Sequence, residues 1–142
     1  MERGKLQMIT TEEFGAFIDA RAVEKRMKYK DIAAGAGVSK QMLLDCRNAS
    51  HDPSILHAGR ICTALGCELV CGGASSPAEF GEWVGREIAR QGLTVGEVAR
   101  RSGLSSATIR AYKYGSATAS LQGAGYVSIA LGFETKIREA VE

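Results

Sequence analysis

No apolar run in the 142 residues approaches the roughly 20 that a helix needs to cross a bilayer. The leading stretch MERGKLQMITTEEF also lacks the apolar core of a signal peptide. A cytoplasmic protein with no membrane partner is therefore expected. Metal chemistry is poorly supplied as well: Cys46, Cys62, Cys67 and Cys71 contain no C-x-x-C pair, and Cys67 and Cys71 with His57 match no metal spacing. Free thiols are expected in such a compartment, with Cys46 and Cys62 on apolar helix positions as core. No glycine-rich phosphate loop follows a strand, and neither His51 nor His57 lies beside a plausible nucleophile. The chain is expected to be no enzyme and to need no cofactor or metal. Charge of one sign is lacking too, since the formal net charge is only +2, which by itself selects no partner.

What the chain does have is a repeat. Residues 29–50 (YKDIAAGAGVSKQMLLDCRNAS) and 95–116 (VGEVARRSGLSSATIRAYKYGS) superpose without a gap at an offset of 66, so that Asp31 falls on Glu97. With 45% hydrophobic residues, the length suits two small units: a first domain at 1–71, a linker at 72–76 and a second domain at 77–142. Each copy reads as two short helices joined by a tight turn. Ile32 and Ala33 (Val98 and Ala99) form the apolar side of the first helix, and Gly37 (Gly103) ends it where a left-handed backbone costs little. Val38 or Leu104 plugs the corner, and Ser39 or Ser105 caps the next helix. That helix buries Leu43 and Cys46, or Ile109 and Tyr112, which leaves its other side free.

The flanking segments repeat in the same register. Thr10 and Glu13 form a capping box, and Ser76, Pro77 and Glu79 form the corresponding helix start. Phe14, Phe17, Ile18 and Ala22 make one inward stripe, and Phe80, Trp83, Val84 and Ile88 the other. After the loop 48–53, Ser54 caps a fourth helix whose stripe Ala58, Ile61, Cys62 and Leu65 is mirrored by Ala124, Val127, Ser128 and Leu131. Gly59 and Gly125, inside these helices, are expected where another helix crosses closely. Residues 68–71 and 135–138 read as short extended segments whose pairing would tie the halves together; a final helix suits the C-terminal piece equally. The fold class is all-α, with four to five helices per repeat.

Charge is distributed unevenly. Between Arg21 and Arg47 seven basic residues face three acids, and between Arg86 and Lys113 six face two. Each helix pair thus carries a local excess of four positive charges, which suits a polyanion such as nucleic acid.

The run 37–69, GVSKQMLLDCRNASHDPSILHAGRICTALGCEL, resembles the helix-turn-helix domain of the lambda-repressor, Cro and XRE-type transcriptional regulators. Its Gly-Val-Ser turn, Leu43, Pro53-Ser54 and Ala64-Leu65-Gly66 carry the likeness. The second copy resembles the same family through LTVGEVARRSGLSSATI, Gly115 and Ala130-Leu131-Gly132. The resemblance implies two tandem domains of that fold binding double-stranded DNA, with recognition helices at about 39–48 and 105–114 in the major groove. It implies base readout by Lys40, Gln41 and Asp45, and by Ser106, Ala107 and Ala111 with Arg110 alongside. Lys28, Tyr29, Lys30, Ser39, Asn48, Thr94, Ser105, Lys113 and Tyr114 would meet phosphates. The family's usual glutamine at the start of the second helix stands here as Tyr29 and Val95.

A repressor is the expected activity, and the two repeats would form a pseudo-dimer on unlike half-sites; self-association of the whole chain stays open. The competing expectation is an antitoxin-like or adaptor module that binds a protein through one repeat, helped by the apolar Met42 and Leu44.

Overall fold

Caps set the helix boundaries. The computed structural model describes residues 5–140, so residues 1–4 and 141–142 of the two expected domains lie outside the described residues. The first half holds α1 (Thr11–Lys25), α2 (Tyr29–Ala36), α3 (Lys40–Arg47), α4 (Ile55–Ala64) and strand β1 (Cys67–Cys71). The second holds α5 (Phe80–Arg90), α6 (Val95–Ser102), α7 (Ser106–Tyr114), α8 (Leu121–Ala130) and strand β2 (Thr135–Glu139). At the start of α1 the Glu13 amide donates to Thr10 Oγ1 at 3.1 Å and the Thr10 amide donates to Glu13 Oε1 at 3.2 Å, which completes the expected capping box. Ser54 and Ser120 cap α4 and α8 in the same way, each accepting from the third helical amide at 3.2 and 3.0 Å.

The expected stripes are the buried ones, Phe17 alone being half-buried, and the buried apolar side chains of both halves form one continuous cluster. Trp83 meets Phe133 edge-on at 5.1 Å, and its ring lies so close over Gly72 and Gly73 that neither has room for a Cβ. The linker is thereby packed down. All four cysteines are free and buried, Cys67 and Cys71 on the inner face of β1. Burial pushes the Cys46 thiol up to about 11 and the Cys71 thiol up to about 12, so both stay protonated at neutral pH.

The two halves are related by an internal twofold axis, which two sets of contacts locate. Ser54 and Ser120, 66 positions apart, form an antiparallel bridge, with the Ile55 amide donating to the Ala119 carbonyl at 2.9 Å and the Leu121 amide to the Pro53 carbonyl at 2.8 Å. Adding 66 to the donor of the first bond and subtracting 66 from its acceptor gives the second. In the antiparallel sheet Val70 stands opposite Lys136, again 66 positions on. A two-stranded ribbon alone is marginal in water. Here α4 packs against β1, the Ile9 amide donates to Thr135 Oγ1 at 3.0 Å, and Arg138 meets Glu68 across the strands at 2.7 Å. Pairing, not a final helix, is thus what the C-terminal segment does.

The repeat extends to backbone conformation. Left-handed residues fall at Arg26, Gly37, Ala49 and Gly66 in the first half and at Gly92, Gly103, Gly115 and Gly132 in the second, position for position, with Gly72 of the linker the one left without a mate among the described residues. Two of the first four are not glycine. At Ala49 (φ 58°) an L side chain costs about 1–2 kcal/mol, partly offset by the extra unfolded-state freedom that glycine would bring. Ala49→Gly should therefore stabilise the protein by about 0.5–1 kcal/mol, read as a higher urea midpoint at unchanged slope; an unmoved midpoint would refute the strain.

Three expectations are corrected. Gly59 and Gly125 do not mark helix crossings: a Cβ on Gly59 would press on Pro77 at 3.1 Å, and one on Gly125 on Met8 at 2.8 Å, so it is the segment leading into each half that crosses the other half's fourth helix. Ser76 makes no side-chain cap; residues Pro77–Glu79 form a single 3-10 turn instead, and α5 begins only at Phe80. The third concerns charge. Position 21 pairs with position 24 as Arg21–Glu24 at 2.8 Å, whereas the equivalent Glu87–Arg90 pair has its signs reversed, and the Arg90 guanidinium holds the Glu87 carboxyl below the usual carboxylate range. Arg21 and Arg90, both counted in the expected local positive excess, are thus held by carboxylates, and Glu87 is buried.

Ser128 occupies the position of Cys62, and its buried hydroxyl has no hydrogen-bond partner among the described residues. Because an unsatisfied buried hydroxyl costs about 1–3 kcal/mol, Ser128→Ala is expected to raise stability by about 1 kcal/mol. A lower melting temperature for that variant would show that the hydroxyl is satisfied after all.

Candidate nucleic-acid interface

In each half the bihelical corner is built from its buried side outward. Ile32, Ala33 and Ala36 of α2 and Leu43 and Cys46 of α3 are buried, as are Val98, Ala99, Ile109 and Tyr112 in α6 and α7. Gly37 (φ 68°) and Gly103 (φ 78°) end α2 and α6, and a Cβ on either would meet nothing within 4 Å. They are needed for their backbone angle, not for space. Val38 and Leu104 sit half-buried in the corner, and Ser39 and Ser105 accept hydrogen bonds from the Met42 and Thr108 amides at 3.0 and 3.1 Å. As cap acceptors they retain their O–H groups as donors; that of Ser105 lies 2.9 Å from Thr108 Oγ1.

The position of each corner is set by the helix before it. α1 packs on α3 and α5 on α7. Gly15 and Gly81, again 66 apart, lie against the carbonyls that end α3 and α7: a Cβ on Gly15 would stand 2.9 Å from the Cys46 oxygen and closer still to that of Arg47, and one on Gly81 would strike the Tyr112 oxygen. Nothing in the hydrophobic pattern marks these glycines.

On the outer face of the first half Lys28, Lys30, Lys40, Gln41 and Asn48 are exposed, Lys28 at the start of α2 and Asn48 just past the end of α3. The Gln41 amide donates to Asp45 Oδ1 at 2.9 Å, so two of the three residues expected to read bases hold one another. Tyr29, expected at a phosphate, instead donates its hydroxyl to Asp19 Oδ1 at 3.0 Å. Burial and that bond push its pKa above the ordinary tyrosine value. Arg47 lies over the Tyr29 ring at 5.5 Å with its Nε 3.6 Å from Asp19. The group that this cluster offers to an anion is the half-exposed guanidinium of Arg47, and Tyr29 positions it.

In the second half Ala107, Arg110 and Tyr114 are exposed, Ser106, Ala111 and Lys113 half-buried. Lys113 lies over the Tyr114 ring at 5.3 Å. Thr94, expected at a phosphate, caps α6 in a capping box: its Oγ1 accepts from the Glu97 amide at 3.1 Å, and the Glu97 carboxyl, held first by the Thr94 amide and then by its hydroxyl, lies below the usual carboxylate range. Arg100, Arg101 and Arg110 are exposed and make no hydrogen bond or ion pair among the described residues. The two arginines of α6 were visible in sequence only as part of a charge count; the structure puts them in the last turn of a helix that packs beside α7.

One electrostatic feature is common to both corners. The first turns of α1, α2, α5 and α6 carry acidic residues, whereas those of α3, α4, α7 and α8 carry none, and of these four α3 and α7 are the ones in the corners. Positive helix ends are thus left uncompensated at the two helices whose outer faces are free. Comparison with protein-family models, with curated proteins and with solved structures finds no match to this chain.

Proposed function

We propose that this protein is a sequence-specific double-stranded DNA-binding regulator of transcription, a repressor by its likeness to the lambda-repressor, Cro and XRE type, built from two tandem helix-turn-helix units. The observation that carries the reading is the pair of exposed cationic corners: Lys28, Lys30, Lys40 and Arg47 around α2 and α3, and Arg100, Arg101 and Arg110 around α6 and α7. Cations of this kind neutralise backbone phosphates and release condensed counterions. Lys40 and Arg110 lie on α3 and α7, where a long side chain reaches guanine acceptors in the major groove. Gln41, once its bond to Asp45 exchanges for one to a base, offers the bidentate donor and acceptor that adenine requires. Ala107 and Ala111 present methyl groups suited to the thymine methyl.

The adaptor reading has less support. Met42 packs against the core, which leaves the half-buried Leu44 as the apolar residue of that pair on α3, and the large exposed apolar residues Leu6, Val23, Tyr114 and Tyr126 are scattered over different elements.

Fluorescence anisotropy on a labelled duplex tests the reading. With about six phosphates neutralised, log K should fall against log salt with a slope of roughly −5. Selection from a random duplex pool should enrich a motif, and Lys40→Ala with Gln41→Ala should erase part of it. A flat salt response with no enrichment would leave the adaptor reading in its place.

A further inference from the structure

The internal twofold axis constrains how such a regulator meets its site. At one end of the axis is the Ser54–Ser120 bridge, at the other the Val70–Lys136 pair of the ribbon. Between them run α4 and α8, ten residues each and so about 15 Å long. The loop 48–53 leaving α3 leads straight to Ser54, and the loop 115–119 leaving α7 leads straight to Ser120. The C-terminal ends of both helices are therefore tied by short loops to the bridge. A twofold rotation carries α3 onto α7 at the same height, on opposite sides of the axis.

The contacts that make this interface are self-complementary, as in a symmetric homodimer. Here they are made within one chain: the bonds at 53, 55, 119 and 121 and the β1–β2 pairing are already reciprocal between its two halves. The linker between the halves is held under Trp83, so the two corners cannot separate to serve distant sites. Chemically the two faces differ, with Lys40, Gln41 and Asp45 on one helix and Ser106, Ala107 and Arg110 on the other.

We infer that a single chain is the complete binding unit: its internal axis coincides with the local twofold axis of one duplex, α3 and α7 enter successive major-groove turns on one face, and the site is an inverted pair of unlike half-sites. The inference rests on the proposed DNA reading of α3 and α7. It extends that reading in stoichiometry, in rigid half-site spacing and in the asymmetry of the motif.

The test uses the full-length protein and the duplex it enriches from a random pool. Native mass spectrometry should show one chain per duplex. Inserting five base pairs at the centre of the motif, about half a helical turn, should lower affinity on the order of 10²-fold, because the second contact no longer adds to the first. Lys40→Ala with Gln41→Ala should relax one side of the enriched motif only, and Arg110→Ala the other side only. Two chains per duplex, tolerance of the insertion, or a motif changed on both sides by either variant would overturn the inference while leaving DNA binding intact. Absence of any duplex binding would overturn both.

Discussion

Gly15→Ala should lower the stability of the protein by about 2 kcal/mol, roughly 6 °C in melting temperature, although the same change inside an open helix raises stability by about 1 kcal/mol. The sign reverses because the new Cβ has no space. It would stand 2.9 Å from the carbonyl oxygen of Cys46 and closer to that of Arg47, and both are backbone atoms that end α3. Relief requires α1 and α3 to move apart, which opens the packing that holds α3 in place. Gly81→Ala should behave alike, since its Cβ would strike the Tyr112 carbonyl. Gly37 gives the control. A Cβ there meets nothing, and only φ is costly, so Gly37→Asn should be nearly neutral because asparagine tolerates the left-handed region. Gly15→Asn should be worse than Gly15→Ala. Chemical denaturation of the four variants decides: equal losses for Gly15→Asn and Gly37→Asn would show that backbone angle, not close approach, governs both sites.

Replacing Arg100, Arg101 and Arg110 together by alanine should weaken duplex binding on the order of 10²-fold at physiological salt and flatten the log–log salt slope by roughly 1.8, about 0.9 for each phosphate that Arg100 and Arg101 no longer neutralise, Arg110 being the base reader of the three. Replacing Lys28, Lys30 and Lys40 should cost less. None of the three arginines makes an ion pair among the described residues, and the carboxylate nearest to Arg101 and Arg100 is Glu97, the equivalent of Asp31; the first corner carries Asp45 on α3 and Asp19 beside Arg47 in addition. Carboxylates near a phosphate path repel it and offset part of what the lysines contribute. The residue types of the two recognition segments weigh the other way, since Lys40, Gln41 and Asp45 offer more donors and acceptors than Ser106, Ala107 and Ala111. Anisotropy titrations of both triple variants over a salt series compare the halves directly, and a steeper loss for the lysine variant would restore the ranking by residue type.

Most of the helical framework was legible because it rests on local rules. The 3.6-residue stripes, the Thr10–Glu13 box and the glycines at 37 and 103 act within one helix or one turn, and each stands where the pattern placed it. Failures came where a distant segment intervened. Ser76 looked like a cap by type and spacing, but Pro77 is pressed on Gly59 of α4, and the turn that results starts α5 three residues late. Thr94 and Tyr29 looked like phosphate contacts by position; a neighbouring carboxylate holds each hydroxyl. Candidate interface residues were thus legible as a surface and not as free groups, because hydrogen-bond partners such as Asp19 lie on another helix.

The amino-acid order alone determined that this chain repeats one helical unit, where every helix but α5 begins, and which side of each helix is buried. Such properties depend on neighbours a few residues away. Tertiary structure decided how the copies face one another, which cations stand unpaired among the described residues, and which glycines are indispensable. Those answers depend on groups far apart in the chain, on the Ser54–Ser120 bridge, on the β1–β2 register and on the carbonyls beneath Gly15 and Gly81, and no local periodicity encodes such distances.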